Sequence, residues 1–96
     1  MIDSKKTIFI SGSISGDPDY VPKFKRAERI LKNKGFIVMN PAIFPIGFKW
    51  EQYMRITLAM LDACDCIYML DDWETSEGAI MEFEWAKKAD KIIYYG

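Results

Sequence analysis

Four short apolar runs alternate along the chain with three segments whose apolar residues recur at helical spacing. The runs are Thr7-Ile8-Phe9-Ile10, Phe36-Ile37-Val38-Met39, Cys66-Ile67-Tyr68-Met69-Leu70 and Lys91 to Tyr95. All are too short for helices and are bounded by turn residues, so each predicts a strand, and the first two read as buried ones. Val21, Phe24, Ala27 and Leu31 predict a first helix over about 18–34. Asp17 stands where an N-cap belongs and Pro18 at the first helical position, with Gly35 placed as the left-handed residue that ends the helix. Trp50, Tyr53, Met54, Thr57, Leu58 and Leu61 form one stripe and predict a second helix starting near Lys49. After a loop over 71–75, Thr75 or Ser76 can cap a third helix that runs to about Ala89.

This β-α-β-α-β-α-β order implies a parallel sheet with helices on both faces. The predicted fold is α/β: a flavodoxin-like or Rossmann-like three-layer sandwich, with a four-stranded sheet in the order 2-1-3-4, forming a single domain over 1–96. Right-handed crossovers leave few alternatives. In such folds ligands bind beyond the carboxyl ends of the strands, where the strand order reverses, here between strands 1 and 3. Two loops flank that point. Ser11 to Asp17 is small and rich in backbone donors, and Asp71 to Gly78 is acidic.

Composition narrows the function classes. The chain has 96 residues, of which 50% are hydrophobic and 15% aromatic. That argues against disorder and suggests that a second copy covers some apolar surface, hence a homo-oligomer. A net charge of −1 gives no reason to expect nucleic acid or a membrane as partner. There is no histidine, which removes the commonest general base and metal ligand. Cys64 and Cys66 are too few for a structural zinc site, so neither metal nor cofactor is expected. Reduced buried thiols, no apolar stretch near 18 residues, and an N-terminus (Met1 to Lys6) without a signal-peptide core predict a cytoplasmic protein.

Glu82 is the candidate catalytic residue. It lies on the helical arc of Ala79, Phe83, Trp85, Ala86 and Ala89, whereas Glu77, Glu84 and Lys88 take the solvated face. A carboxylate in apolar surroundings costs free energy, and desolvation raises its pKa. Ser76 and Gly78, at the start of the same helix, can present N–H groups to a phosphate or sugar hydroxyl. Gly12, Ser13 and Ile14 offer a similar cradle, although the loop matches neither a Walker motif nor the dinucleotide fingerprint. Asp72 can terminate the strand or bond a base or sugar. Among Phe44, Phe48, Trp50 and Tyr53, one could stack on a nucleobase. A phospho-receiver is disfavoured, because Ser11-Gly12-Ser13 stands where that fold needs acidic residues.

These residues together resemble the nucleoside 2-deoxyribosyltransferase superfamily, and in particular its short members. The resemblance rests on Ile8-Phe9-Ile10-Ser11-Gly12 with Gly16, on Asn40-Pro41-Ala42, on Trp50 with Tyr53-Met54-Arg55, and on Ser76, Gly78-Ala79 and Glu82. The first loop also looks like that of the 2′-deoxynucleoside 5′-phosphate N-hydrolases. The resemblance implies cleavage or transfer at an N-glycosidic bond of a deoxynucleoside or deoxynucleotide. Glu82 would attack C1′, the residue at Ser76 would contact the sugar or its 5′-phosphate, and a neighbouring subunit would complete the site. Phe9, which the resemblance places among the substrate contacts, stands where the family usually has a tyrosine near the nucleophile, Thr57 where it has an aspartate, and Ser15 where the hydrolases have an arginine. A non-catalytic nucleotide-sensing module on the same fold is the alternative reading.

Overall fold

A computed structural model describes residues 5–45 and 47–96. The expectation drawn from the first residues, that no signal peptide is present, lies largely outside them. The elements are β1 (Thr7–Ser11), α1 (Tyr20–Asn33), β2 (Ile37–Met39), α2 (Trp50–Asp62), β3 (Cys66–Met69), a single 3-10 turn (Trp73–Thr75), α3 (Glu77–Lys88) and β4 (Ile92–Tyr95). All strand pairs are parallel and the order is β2-β1-β3-β4, the flavodoxin-like order read from the sequence. No helix among the described residues is long and apolar enough to cross a membrane.

Strand alternation divides β1 between two cores. Ile8 and Ile10 pack with Cys66 against Phe24, Ala27 and Leu31 of α1. Phe9 points the other way, joining Ile67 and Met69 against Leu61 of α2 and Ala86 of α3. Two layers of helix therefore enclose the sheet, and its centre is dry: Ile8, Phe9, Ile10 and Ser11 are all fully buried. Each large side chain removed from water here contributes about 1.5–3 kcal/mol.

The far end of the sheet is tied by side chains. The Thr7 amide and hydroxyl donate to the Asp65 carboxylate at 3.0 and 3.1 Å, and the Asp65 amide donates to Thr7 Oγ1 at 2.9 Å. Asp65 thus joins the starts of β1 and β3, away from the ligand end. Both thiols, Cys64 and Cys66, are buried and free. Burial pushes their pKa values up.

Three local expectations change. The first helix starts at Tyr20 rather than at residue 18. The Asp17 carboxylate accepts from the Asp19 amide at 2.9 Å and from Lys23 Nζ, which holds 17–19 as a turn ahead of the helix. Val21 is consequently 36% exposed and outside the core. The second strand is not buried: Ile37 is 53% exposed, because β2 is an edge strand with one neighbour. Gly35, by contrast, has φ +97 and ends α1 in the left-handed region as its position predicts.

Gly12 is fixed by packing. A Cβ there would lie 2.7 Å from Leu70 Cδ1 and 2.9 Å from Leu70 Cβ. Gly12→Ala is expected to lower stability by about 1–3 kcal/mol through forced displacement of the β3 loop. Urea denaturation measures this, and an unchanged midpoint would show that the two loops are not tightly apposed.

Candidate functional site

The site is built on the first two turns of α3. Ser76 caps the helix, its Oγ accepting from the Ala79 amide at 3.2 Å. With the start so fixed, the residues buried against the sheet are Ala79, Glu82 and Ala86. The two alanines let the helix sit close, and the carboxylate between them reaches β1. Ser11 Oγ donates to Glu82 Oε1 at 2.6 Å in a buried hydrogen bond. Glu82 is only 6% exposed. Desolvation pushes its pKa up to about 7, against the opposing pull of the Ser11 and Thr57 hydroxyls, which favour the charged form.

The sequence reading gives Ser11 no role in the site. Strand alternation carries the missing signal: Ser11 is two residues from Phe9 and on the same face of the sheet. Phe9, taken as a substrate contact by its alignment with a tyrosine, is fully buried in the core beneath α2 and α3 and does not reach the cleft. The hydroxyl that Phe9 lacks is supplied two residues along the strand, by Ser11.

Glu82 forms part of the wall of a cleft of about 890 Å³. The cleft lies between the loop after β1, residues 41–44 and 47–50, and the starts of α2 and α3. Gly12, Ile14, Ser76, Gly78 and Thr57 line it, together with aromatic side chains that include Phe44, Phe48, Trp50 and Tyr53. Gly78 also lets α3 approach α2, since a Cβ there would stand 3.3 Å from the Met54 sulfur. Asn40 shapes the approach to segment 41–50: its Nδ2 donates to Glu28 Oε1 at 2.9 Å and its Oδ1 accepts from the Ala42 amide at 2.8 Å.

Ser13 and Asp72 are not cleft residues. The Ser13 amide donates to Asp72 Oδ1 at 3.1 Å, joining the loops after β1 and β3 from behind. Lys23, which the sequence reading does not single out, completes this junction. Its ammonium donates to the Ser13 carbonyl at 3.1 Å, to Asp17 Oδ2 at 2.6 Å and to Asp72 Oδ2. Partial burial works to lower the Lys23 pKa, but the hydrogen bonds to Asp17 and Asp72 outweigh it and the net shift is upward. The same bond from Lys23, with the Asp19 amide, holds the Asp17 carboxyl below its usual range. Lys23 pairs with residues in two separate loops, and no local spacing announces that.

The raised Glu82 pKa has a defined effect on stability. A carboxyl whose folded pKa exceeds its unfolded value binds more protons folded than unfolded. Its favourable contribution is complete below about pH 4.5 and is lost as pH rises to about 7. Glu82→Gln keeps an acceptor for Ser11 without a charge. It is therefore expected to be more stable than the wild type at pH 8, by on the order of 1–3 kcal/mol, with the gap closing below pH 5. Denaturation across that range checks this, and a pH-independent difference would contradict it. Ser11→Ala removes the nearer hydroxyl and should raise the Glu82 pKa further, read as a shift to higher pH of its side-chain carboxyl ¹³C resonance.

Comparison with known proteins follows the same geometry. No curated protein matches the chain. Among solved structures it is similar to a 2-desoxiribosyltransferase from Leishmania mexicana, with a TM-score of 0.73 and 22% identity. The alignment covers 94% of this chain and 63% of that one, so the chain spans less than two thirds of its length. At that identity the likeness establishes a nucleoside 2-deoxyribosyltransferase-like fold. Residues 6–95 match the model of a single family, and the chain belongs to that family, described as a domain of unknown function, DUF4406.

Proposed function

We propose that this chain cleaves, or transfers the sugar across, the N-glycosidic bond of a deoxynucleoside, with Glu82 as nucleophile. The observation that carries this reading is a buried carboxylate anchored at one oxygen by Ser11 and forming part of the wall of an 890 Å³ cleft. The anomeric carbon of a nucleoside is electrophilic and develops oxocarbenium character as the base departs. A carboxylate beside it splits one difficult displacement into two easier ones. The fold shared with a protein titled 2-desoxiribosyltransferase supports the same chemistry.

Each neighbour has a part in this scheme. Ser11 orients the carboxylate from the closed side and favours its ionised form. Thr57 lines the cleft, and its hydroxyl also favours the charged state of Glu82. The aromatic wall over 44–53 offers faces on which a base can stack. Ser76 and Gly78 line the cleft, which supports their contact with the sugar. Phe48 and Trp50, which line the cleft, are partly exposed, which supports a homo-oligomer whose second copy covers it.

Glu82→Ala is expected to reduce release of free base from deoxynucleosides by at least about 10³-fold, measured by chromatography. Turnover equal to the wild type would overturn the assignment, and nucleoside binding without base release from either protein would select the non-catalytic reading. Because the nucleophile acts as the anion, kcat/KM should rise with pH and level off above about 7. A profile flat from pH 5 to 8 would contradict that.

A further inference from the structure

The charge of the cleft departs from what a nucleotide would need. Its charged lining residues are Asp17, Glu77 and Glu82, and no lysine or arginine lines it among the described residues. The cation bonded to the first loop is Lys23 of α1, whose ammonium has three donors. All three have protein acceptors: the Ser13 carbonyl, Asp17 and Asp72. None is left for a phosphate. The α3 N-terminus, the other feature that could favour an anion, carries Glu77 in its first turn and has its Ala79 amide capped by Ser76.

The walls have the opposite preference. Phe44, Phe48, Trp50 and Tyr53 line the same cleft as the carboxylates. Aromatic faces combined with negative charge attract a flat, desolvated cation. The leaving group points the same way. A base departing from a neutral nucleoside becomes an anion and needs a proton. The chain has no histidine to give one, and Lys23 holds Asp17 ionised. A base that is already cationic needs none.

Resting on the nucleoside reading above, we propose that the cleft selects N-glycosides whose base carries a positive charge, such as N-alkylated purines, and rejects 5′-phosphates. A Glu82 carboxylate oxygen forms a bond to C1′ as the C1′–N bond breaks. The bonding pair passes to the ring nitrogen and cancels the positive charge, so the base leaves neutral with no proton transferred. Water then attacks C1′, Glu82 is released as the carboxylate, and the proton goes to solvent. Glu77 acts as a specificity residue that favours the cation before chemistry begins.

The test uses a matched series: 7-methyl-2′-deoxyguanosine (cationic), 2′-deoxyguanosine (neutral) and its 5′-monophosphate (anionic). Calorimetry on the Glu82→Gln chain, which retains the cleft without turnover, gives three affinities. The cation should bind about tenfold more tightly than the neutral nucleoside, and the monophosphate more weakly than either. Adding Glu77→Gln should narrow the gap between cation and neutral several-fold. Base release by the wild type, corrected for spontaneous loss, is measured on the same three compounds. Equal affinity for cation and neutral, or tighter binding of the monophosphate, overturns the charge selection. If base release still depends on Glu82 in that case, the glycosidic reading stands without it. Absence of Glu82-dependent release from all three overturns the glycosidic reading itself, and absence of binding by all three overturns both.

Discussion

The Ser11–Glu82 hydrogen bond is the contact on which the account depends. A carboxylate at 6% exposure has lost nearly all of its water. One short bond from a fully buried hydroxyl, with help from Thr57, replaces part of that hydration and leaves the pKa near 7. The balance matters. Without the hydroxyls, desolvation would hold the group protonated and unable to attack carbon. With fuller solvation it would be an ordinary surface acid, ionised but with its charge satisfied by water. Partial compensation leaves it ionisable near neutral pH, as the proposed nucleophile requires.

The rest of the fold keeps that contact in place. β1 runs through the centre of the sheet, so Ser11 sits at the end of the most buried strand. The Ser76 cap fixes the phase of α3, and alanines one turn on either side of Glu82 set its distance from the sheet. Behind the site, Lys23 joins the loops after β1 and β3 through Ser13, Asp17 and Asp72. Gly12 against Leu70 closes the remaining gap between them. This junction orders the cleft wall and also occupies a cation that could otherwise meet a substrate anion. One set of bonds therefore shapes the cleft and sets its charge preference.

Much of the architecture was legible in the sequence because it is written in local terms. Short apolar runs, helical spacing and right-handed crossovers gave the strand order, Gly35 marked the end of α1, and Thr75 or Ser76 marked the start of α3. Glu82 stood out because a carboxylate on an apolar arc violates the pattern around it. What was not legible depends on distance in the chain. Nothing near Lys23 shows that Asp72, 49 residues away, accepts from it, so Asp72 and Ser13 read as ligand contacts when they join two loops. The turn at Asp17 is local but equally silent, because Asp17-Pro18 suits both an N-cap and the turn that the Asp19 amide and Lys23 hold ahead of the helix. Phe9 reads as a substrate contact lacking the family's tyrosine hydroxyl, whereas it is core and the hydroxyl that meets Glu82 sits two residues on, at Ser11. The exposure of β2 follows from its place at the sheet edge, which the order 2-1-3-4 already implied.

The most direct measurement is peptide mass mapping of the wild-type protein after reaction with a 2′-fluoro-substituted deoxynucleoside, whose electron-poor sugar slows the second displacement. The account predicts one sugar per chain, attached at Glu82, with an equivalent of free base. Base release with no adduct, or an adduct on any other residue, would contradict it.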